Sequence, residues 1–163
     1  MKHITKFCLI GMILLSVPAI AVAGGHEPKK DLIGVAVGNE AFSTLVKAIK
    51  AAGLVSPLKS KGPFTVFAPT DKAFAALPEG TLKALLKPEN KKKLEAILKH
   101  HVLPDAVFSK SIVGKKLEPK TLNGTTLKID ATAGITVSGS RVVTTDIKAR
   151  NGVIHVIDKV LLP

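Results

Sequence analysis

The spacing of apolar residues changes character near Val107, and that change limits the folds open to this chain. Before it, apolar positions recur at offsets of three and four. Phe42, Leu45, Val46 and Ile49 follow that spacing between Glu40 and Ala52, with Asn39 placed to cap the first turn and Gly53 to stop the helix. Leu94, Ile97, Leu98 and His101 share one face of another helix that starts near Pro88. A shorter helix is predicted across Gly80–Leu86. After Val107 the runs are short, β-branched and broken by Gly134, Gly139 and the Asn123-Gly124 and Asn151-Gly152 pairs, which reads as antiparallel sheet. Helices followed by strands predict an α+β domain rather than an alternating α/β one.

One strand is expected early. Phe64-Thr-Val-Phe-Ala68 follows the Gly62-Pro63 turn and ends at Pro69, and its β-branched and aromatic content fits a buried position. Thr70 or Asp71 then carries a side-chain oxygen to the start of a helix at Lys72–Ala76, a capping role that needs no catalysis. Val153–Ile157 and Val160–Leu162 are apolar at successive positions, so both faces of that segment are expected to be covered.

The first residues predict export. Lys2 and Lys6 precede a short apolar run from Phe7 to Val17, and small residues lead to cleavage after Ala21 or Ala23. The run is too short to cross a bilayer of about 30 Å comfortably. Residues 1–23 are therefore expected to be a signal peptide, 24–30 a polar lead-in, and 31–163 one domain, secreted or periplasmic. The only cysteine, Cys8, leaves with the signal, so neither disulfides nor thiol chemistry are expected afterwards and stability must come from packing.

The chain has 24 Lys and Arg against 12 Asp and Glu, a formal charge of +12 that falls by two when Lys2 and Lys6 are removed. Such a balance favours anionic partners, with affinity that weakens as salt rises. Nucleic acid is not expected: Trp and Tyr are absent and the phenylalanines lie in apolar patterns, not among the lysines. Lys91-Lys92-Lys93 and Lys115-Lys116 read as solvated faces.

No serine lies in a Gly-x-Ser-x-Gly elbow, no Gly-rich phosphate loop occurs, and no cofactor is expected. His101 and His155 stand in apolar patterns and read as core histidines hydrogen-bonded to backbone or carboxylate, with Asp71 as a candidate partner of His101. His100 is expected to point outward. Cleavage after Ala23 would expose Gly24-Gly25-His26, whose amine, amide nitrogens and imidazole suit square-planar Cu(II) or Ni(II); cleavage after Ala21 would abolish that site.

Residues 62–78 (GPFTVFAPTDKAFAALP) resemble the first signature of fasciclin (FAS1) domains, and residues 151–163 (NGVIHVIDKVLLP) look like the second. Between them, residues 98–104 (LKHHVLP) are similar to the Tyr-His segment of that family, with His100 in place of tyrosine and Asp105 where glycine commonly follows. The resemblance spans roughly Asp31 to Pro163. It implies two small β-sheets in a wedge-like sandwich with helices packed against it, and a non-enzymatic adhesion or interaction module for cell-surface, matrix or glycan partners. It also implies contact roles for His101 and Val102, and for Asp146-Ile147, which occupies the place of an integrin-recognition pair in animal members without the flanking Glu-Pro. The competing reading is a basic envelope protein held nonspecifically by anionic polymers.

Overall fold

A computed structural model describes residues 30–78 and 80–163. The expected signal peptide (residues 1–23) and Gly24, Gly25 and His26 lie outside the described residues. Helix α1 (Leu32–Val37) starts the fold, and a 3-10 turn at Glu40–Phe42 leads into α2 (Ser43–Ala52). Then come α3 (Val55–Lys59), β1 (Phe64–Pro69), α4 (Asp71–Ala75), α5 (Thr81–Leu85) and, after a 3-10 turn at Pro88–Asn90, α6 (Lys91–His100). The second half holds β2 (Val102–Leu103), α7 (Ser109–Ile112), β3 (Lys116–Leu117), β4 (Ile129–Asp130), β5 (Thr136–Val137), β6 (Ser140–Ala149) and β7 (Gly152–Ile157).

The strands hydrogen-bond in the order β2-β1-β7-β6-β5-β4-β3. Two small sheets share the long strand β6: its start pairs with β5 through Val137↔Ser140, and the rest pairs with β7. Register shifts between Val142 and Thr144 and between Thr144 and Ile147 break the β6–β7 ladder, and irregularities of this kind bend a strand and raise its twist. The α+β expectation holds. The purely antiparallel expectation does not, because β1 and β7 run parallel from Phe64↔Gly152 to Pro69↔Ile157.

That central pair separates two cores. Val66 and Ala68 of β1 and Ile154 and Val156 of β7 face a cluster built with Phe42, Leu45 and Ile49 from the α2 region and Leu94 and Leu98 from α6. Phe67 and Ile157 face the other way, onto Leu103, Ile112, Leu127, Ile129, Val137 and Leu161. Two-residue alternation thus fills both faces, as parallel strands covered on both sides require. Phe42 and Phe67, 1% and 2% exposed, each stabilise the fold by about 1.5–3 kcal/mol through burial.

The helix expected at Glu40–Ala52 is present, with the Asn39 side chain accepting from Ala41 N at 3.0 Å and Gly53 closing it. Three short helices escape sequence reading. Helix α1 holds Gly34 and three β-branched residues in six, α3 carries Pro57, and α7 is a single turn. Each is too short for periodicity to register; Leu32, Ile33, Leu58 and Ile112 are nevertheless buried. Residues 121–129 form no regular hairpin: a Lys120↔Thr126 bridge flanks the Asn123-Gly124 turn and leads to β4. Val153–Ile157 is fully buried as expected, but of the last apolar run only Leu161 is buried, and Leu162 is 60% exposed.

Two glycines allow β1 and β7 to meet. A Cβ on Gly62 would lie 2.0 Å from the Asn151 carbonyl oxygen, and one on Gly152 would lie 2.1 Å from the Phe64 oxygen. Both atoms are main chain in the central pair and cannot yield cheaply. Gly152→Ala is therefore expected to cost about 3 kcal/mol, while Gly38→Ala, with its nearest atom at 3.4 Å, changes stability little. Urea denaturation of both variants checks this: equal midpoints would refute the close-approach argument.

Candidate functional site

The residues singled out in the sequence lie along the β1–β7 pair and the elements beside it, and most are held by main-chain groups. Thr70 accepts from Ala73 N at 3.3 Å and caps α4. Asp71 reaches across to accept from Thr44 N at 2.9 Å, in the first turn of α2. The carboxylate joins two helices that the sequence does not place together, and its charge suits the positive end of α2.

His101 is the residue after α6 and is 1% exposed. Its Nδ1–H donates to the Ile97 carbonyl at 2.7 Å, and its Nε2 accepts from Leu161 N at 2.9 Å. The expected partnership with Asp71 is not made, because both ring nitrogens are committed to backbone and Asp71 is committed to α2. Its own carbonyl accepts from Phe67 N at 2.8 Å. One neutral histidine thus ties α6, β1 and the segment after β7 together. Burial lowers its basicity to about 4, against the opposing pull of the Ile97 carbonyl, and the neighbouring His100 adds to the lowering.

His100 also departs from expectation. It is 4% exposed and does not point outward. Its Nδ1 meets the Thr125 hydroxyl, which in turn lies 3.0 Å from the Thr121 hydroxyl. The imidazole thereby packs α6 against the turn at Asn123-Gly124, and burial lowers its pKa below the ordinary value.

His155 lies in the middle of β7, 2% exposed, with its ring stacked on Phe67 at a centroid distance of 5.7 Å. Its Nε2–H donates to the Val107 carbonyl at 2.7 Å, and its Nδ1 accepts from Asp146 N at 3.3 Å. Burial lowers its pKa in spite of the Val107 bond and the Asp146 charge, both of which favour the cation.

Asp146 adopts a left-handed backbone (φ 57°) at the bend of β6. Its carboxylate accepts from Ser109 N at 2.8 Å and from the Ser109 hydroxyl. Burial pushes this carboxyl up, but the two Ser109 bonds outweigh it, with help from the charges of His155 and Lys110, and hold it below the usual value. Ile147 is half-buried and packs on the first core. His101 and Val102 are buried, Val102 at 3% exposure, so any part they take in contacts runs through the backbone they position.

Asn151 is the structural residue that sequence reading treats only as turn punctuation. Its Oδ1 accepts from Leu32 N at 2.9 Å, and its side-chain amide donates to the carbonyls of Leu58 at 2.8 Å and Ser60 at 2.9 Å. Its main-chain oxygen accepts from Phe64 N at 3.1 Å. The available signal was the asparagine of the second signature, read for its turn preference alone.

A parallel strand pair in close contact at two glycines, with histidines and aspartates used as main-chain connectors, defines a two-core α+β domain. The chain belongs to the fasciclin family: the Fasciclin domain model matches residues 40–163. Protein sll1483 of Synechocystis sp. is 42% identical over 99% of this chain and 96% of its own length. Transforming growth factor-beta-induced protein ig-h3 of Sus scrofa is 41% identical over 83% of this chain, which spans 20% of that protein. Among solved structures, a FAS1 domain pair from the insect cell adhesion molecule Fasciclin I superposes with a TM-score of 0.73 at 22% identity, covering 83% of this chain and 52% of that one. Among the described residues no helix is long and apolar enough to cross a membrane.

The histidine bonds imply a pH response. His101 is neutral in the fold and protonates near 4, whereas an unfolded histidine protonates near 6.5. The unfolded chain therefore binds more protons in that window, so stability is full above pH ~6.5 and falls as pH drops toward ~4, by on the order of 3 kcal/mol for this residue. His100 and His155 are shifted in the same direction. His101→Leu leaves the buried Leu161 N–H without an acceptor and is expected to lose about 1–3 kcal/mol at neutral pH. Its stability should also fall less steeply between pH 6.5 and 4. Urea unfolding across that range tests both, and a variant as stable as the parent with an unchanged pH slope refutes the connector role.

Proposed function

We propose that this chain is a non-enzymatic fasciclin interaction module, secreted or periplasmic, which presents a rigid surface to a cell-surface, matrix or glycan partner. The observation that carries this reading is the use made of the titratable side chains within the two signatures and the segment between them. Asp71, His101, Asp146 and His155 all spend hydrogen-bonding atoms on backbone groups of neighbouring elements. Catalysis needs a base and a nucleophile that converge on open space; the histidines converge on the main chain, and although Asp71 and Asp158 line a cleft with Thr70 and Lys72, each of these carboxylates accepts a main-chain N–H. Family membership and the likeness to an insect cell adhesion molecule support the same reading. Asp146-Ile147 contributes by seating the β6 bend on α7, with Ile147 turned to the core.

Diffuse attraction of a basic protein to anionic polymer predicts a different salt response. Binding of the protein to isolated cell envelope is expected to weaken between 50 and 500 mM salt yet to remain saturable at 500 mM, because a shaped surface keeps its packing contacts when long-range charge is screened. A collapse across that range would assign the binding to nonspecific attraction instead. Cell fractionation with N-terminal mass determination tests export, and a chain retained whole in the cytoplasm would refute it.

A further inference from the structure

A cleft of about 700 Å³ opens where the connection from α3 to β1 meets the β6–β7 turn. Its volume falls within the roughly 300–1,000 Å³ typical of ligand sites. Lys59 and Lys61 line one side and Arg150 the other, while Phe108 and Pro63 supply apolar wall. Among the described residues, no acidic one lines it. The ion pairs among the described residues are Lys99–Glu95 and Lys116–Asp130, so no carboxylate among the described residues pairs with these three cations. The carboxylates nearest in the chain are turned elsewhere: Asp105 accepts from Ala106 N, and Asp146 from Ser109 N.

The floor is rigid. The Asn151 side-chain amide grips the Leu58 and Ser60 carbonyls, and Gly62 and Gly152 sit in the close approach of β1 to β7. Phe108 remains 37% exposed beside this floor. A fixed cationic cleft with one half-open aromatic ring pairs an electrostatic anchor with a flat apolar face.

We propose that this cleft binds an acidic oligosaccharide, its carboxylate groups on Lys59, Lys61 and Arg150 and one sugar ring against Phe108. The assignment rests on the interaction-module reading above and names its partner class. A lipid would need continuous apolar surface for its chains, yet the other large exposed apolar side chains, Val37, Val113, Leu122, Val143 and Leu162, lie outside the cleft. An acidic peptide adding as a strand would need free main-chain donors, and here Phe64 N already bonds Asn151 O while Arg150 N bonds Lys30 O. A polyanionic sugar needs neither.

Calorimetric titration of the protein with a tetragalacturonate tests the site, with maltotetraose as the neutral control and phosphatidylglycerol vesicles as the lipid control. The acidic sugar is expected to bind and the neutral one not. Replacing Lys59, Lys61 and Arg150 together by Gln should weaken binding at least about tenfold, whereas replacing Lys91, Lys92 and Lys93 by Gln removes the same charge and should weaken it less than about threefold. Phe108→Ala should weaken it about threefold or more with urea stability retained, and Phe108→Tyr should restore it. Equal weakening by the two triple variants, binding of the neutral sugar, or cleft-dependent binding of the vesicles without the sugar would overturn the assignment. If the tetragalacturonate does not bind while saturable envelope binding persists, the cleft assignment fails alone. If envelope binding is lost as well, the interaction-module reading fails with it.

Discussion

Parallel contact between β1 and β7 is the constraint on which the rest of this domain depends. The strands come from distant parts of the chain and meet with main chain against main chain at Gly62 and Gly152. Once paired, their side chains alternate between two interiors, one closed by α2 and α6 and the other by the smaller sheet and α7. The bend in β6 then carries the ladder from one sheet into the next. A fault in the central pair would therefore reach both cores together.

Polar groups stabilise the same centre. His101 joins α6 to the backbone at Leu161, His155 joins β7 to the backbone at Val107 and Asp146, and Asp71 joins α4 to α2. Burying an imidazole is unfavourable unless its nitrogens find partners, and here both nitrogens of His101 and His155 do. Among the described residues, no buried side-chain nitrogen or oxygen lacks a hydrogen bond. Fully satisfied networks of this kind specify one arrangement of the elements they connect. The domain gains its definition from them in a segment that has no cysteine from which to make a disulfide.

Elements with strong patterns were legible from residues alone. The helix over Glu40–Ala52, the strand at Phe64–Ala68 and the cap at Thr70 follow from periodicity, β-branching and side-chain oxygen chemistry. What escaped has physical reasons. Helix α1 has no periodicity to read in six residues and forms because Asp31 caps it, Asn151 accepts its first N–H and the core takes Leu32 and Ile33. The parallel register of β1 and β7 depends on a long connection whose path local pattern does not encode. His100 was misplaced because adjacent histidines on a helix point apart; at its last turn, however, the chain leaves the helix and both rings are covered, one by Leu161 and one by Thr125. The family resemblance marked Asp71, His101 and Asp146 as special without showing which backbone group each would hold.

The position of β7 has a consequence for biogenesis. Strands β1 and β6 are both made before it, yet they do not pair with one another; each waits for Gly152–Ile157 to be inserted between them. A nascent polypeptide lacking those residues has no way to complete either interior, and non-local pairing of this type forms late because ordering the intervening loop comes first. Neither interior can therefore close before Ile157 has been added to the growing chain.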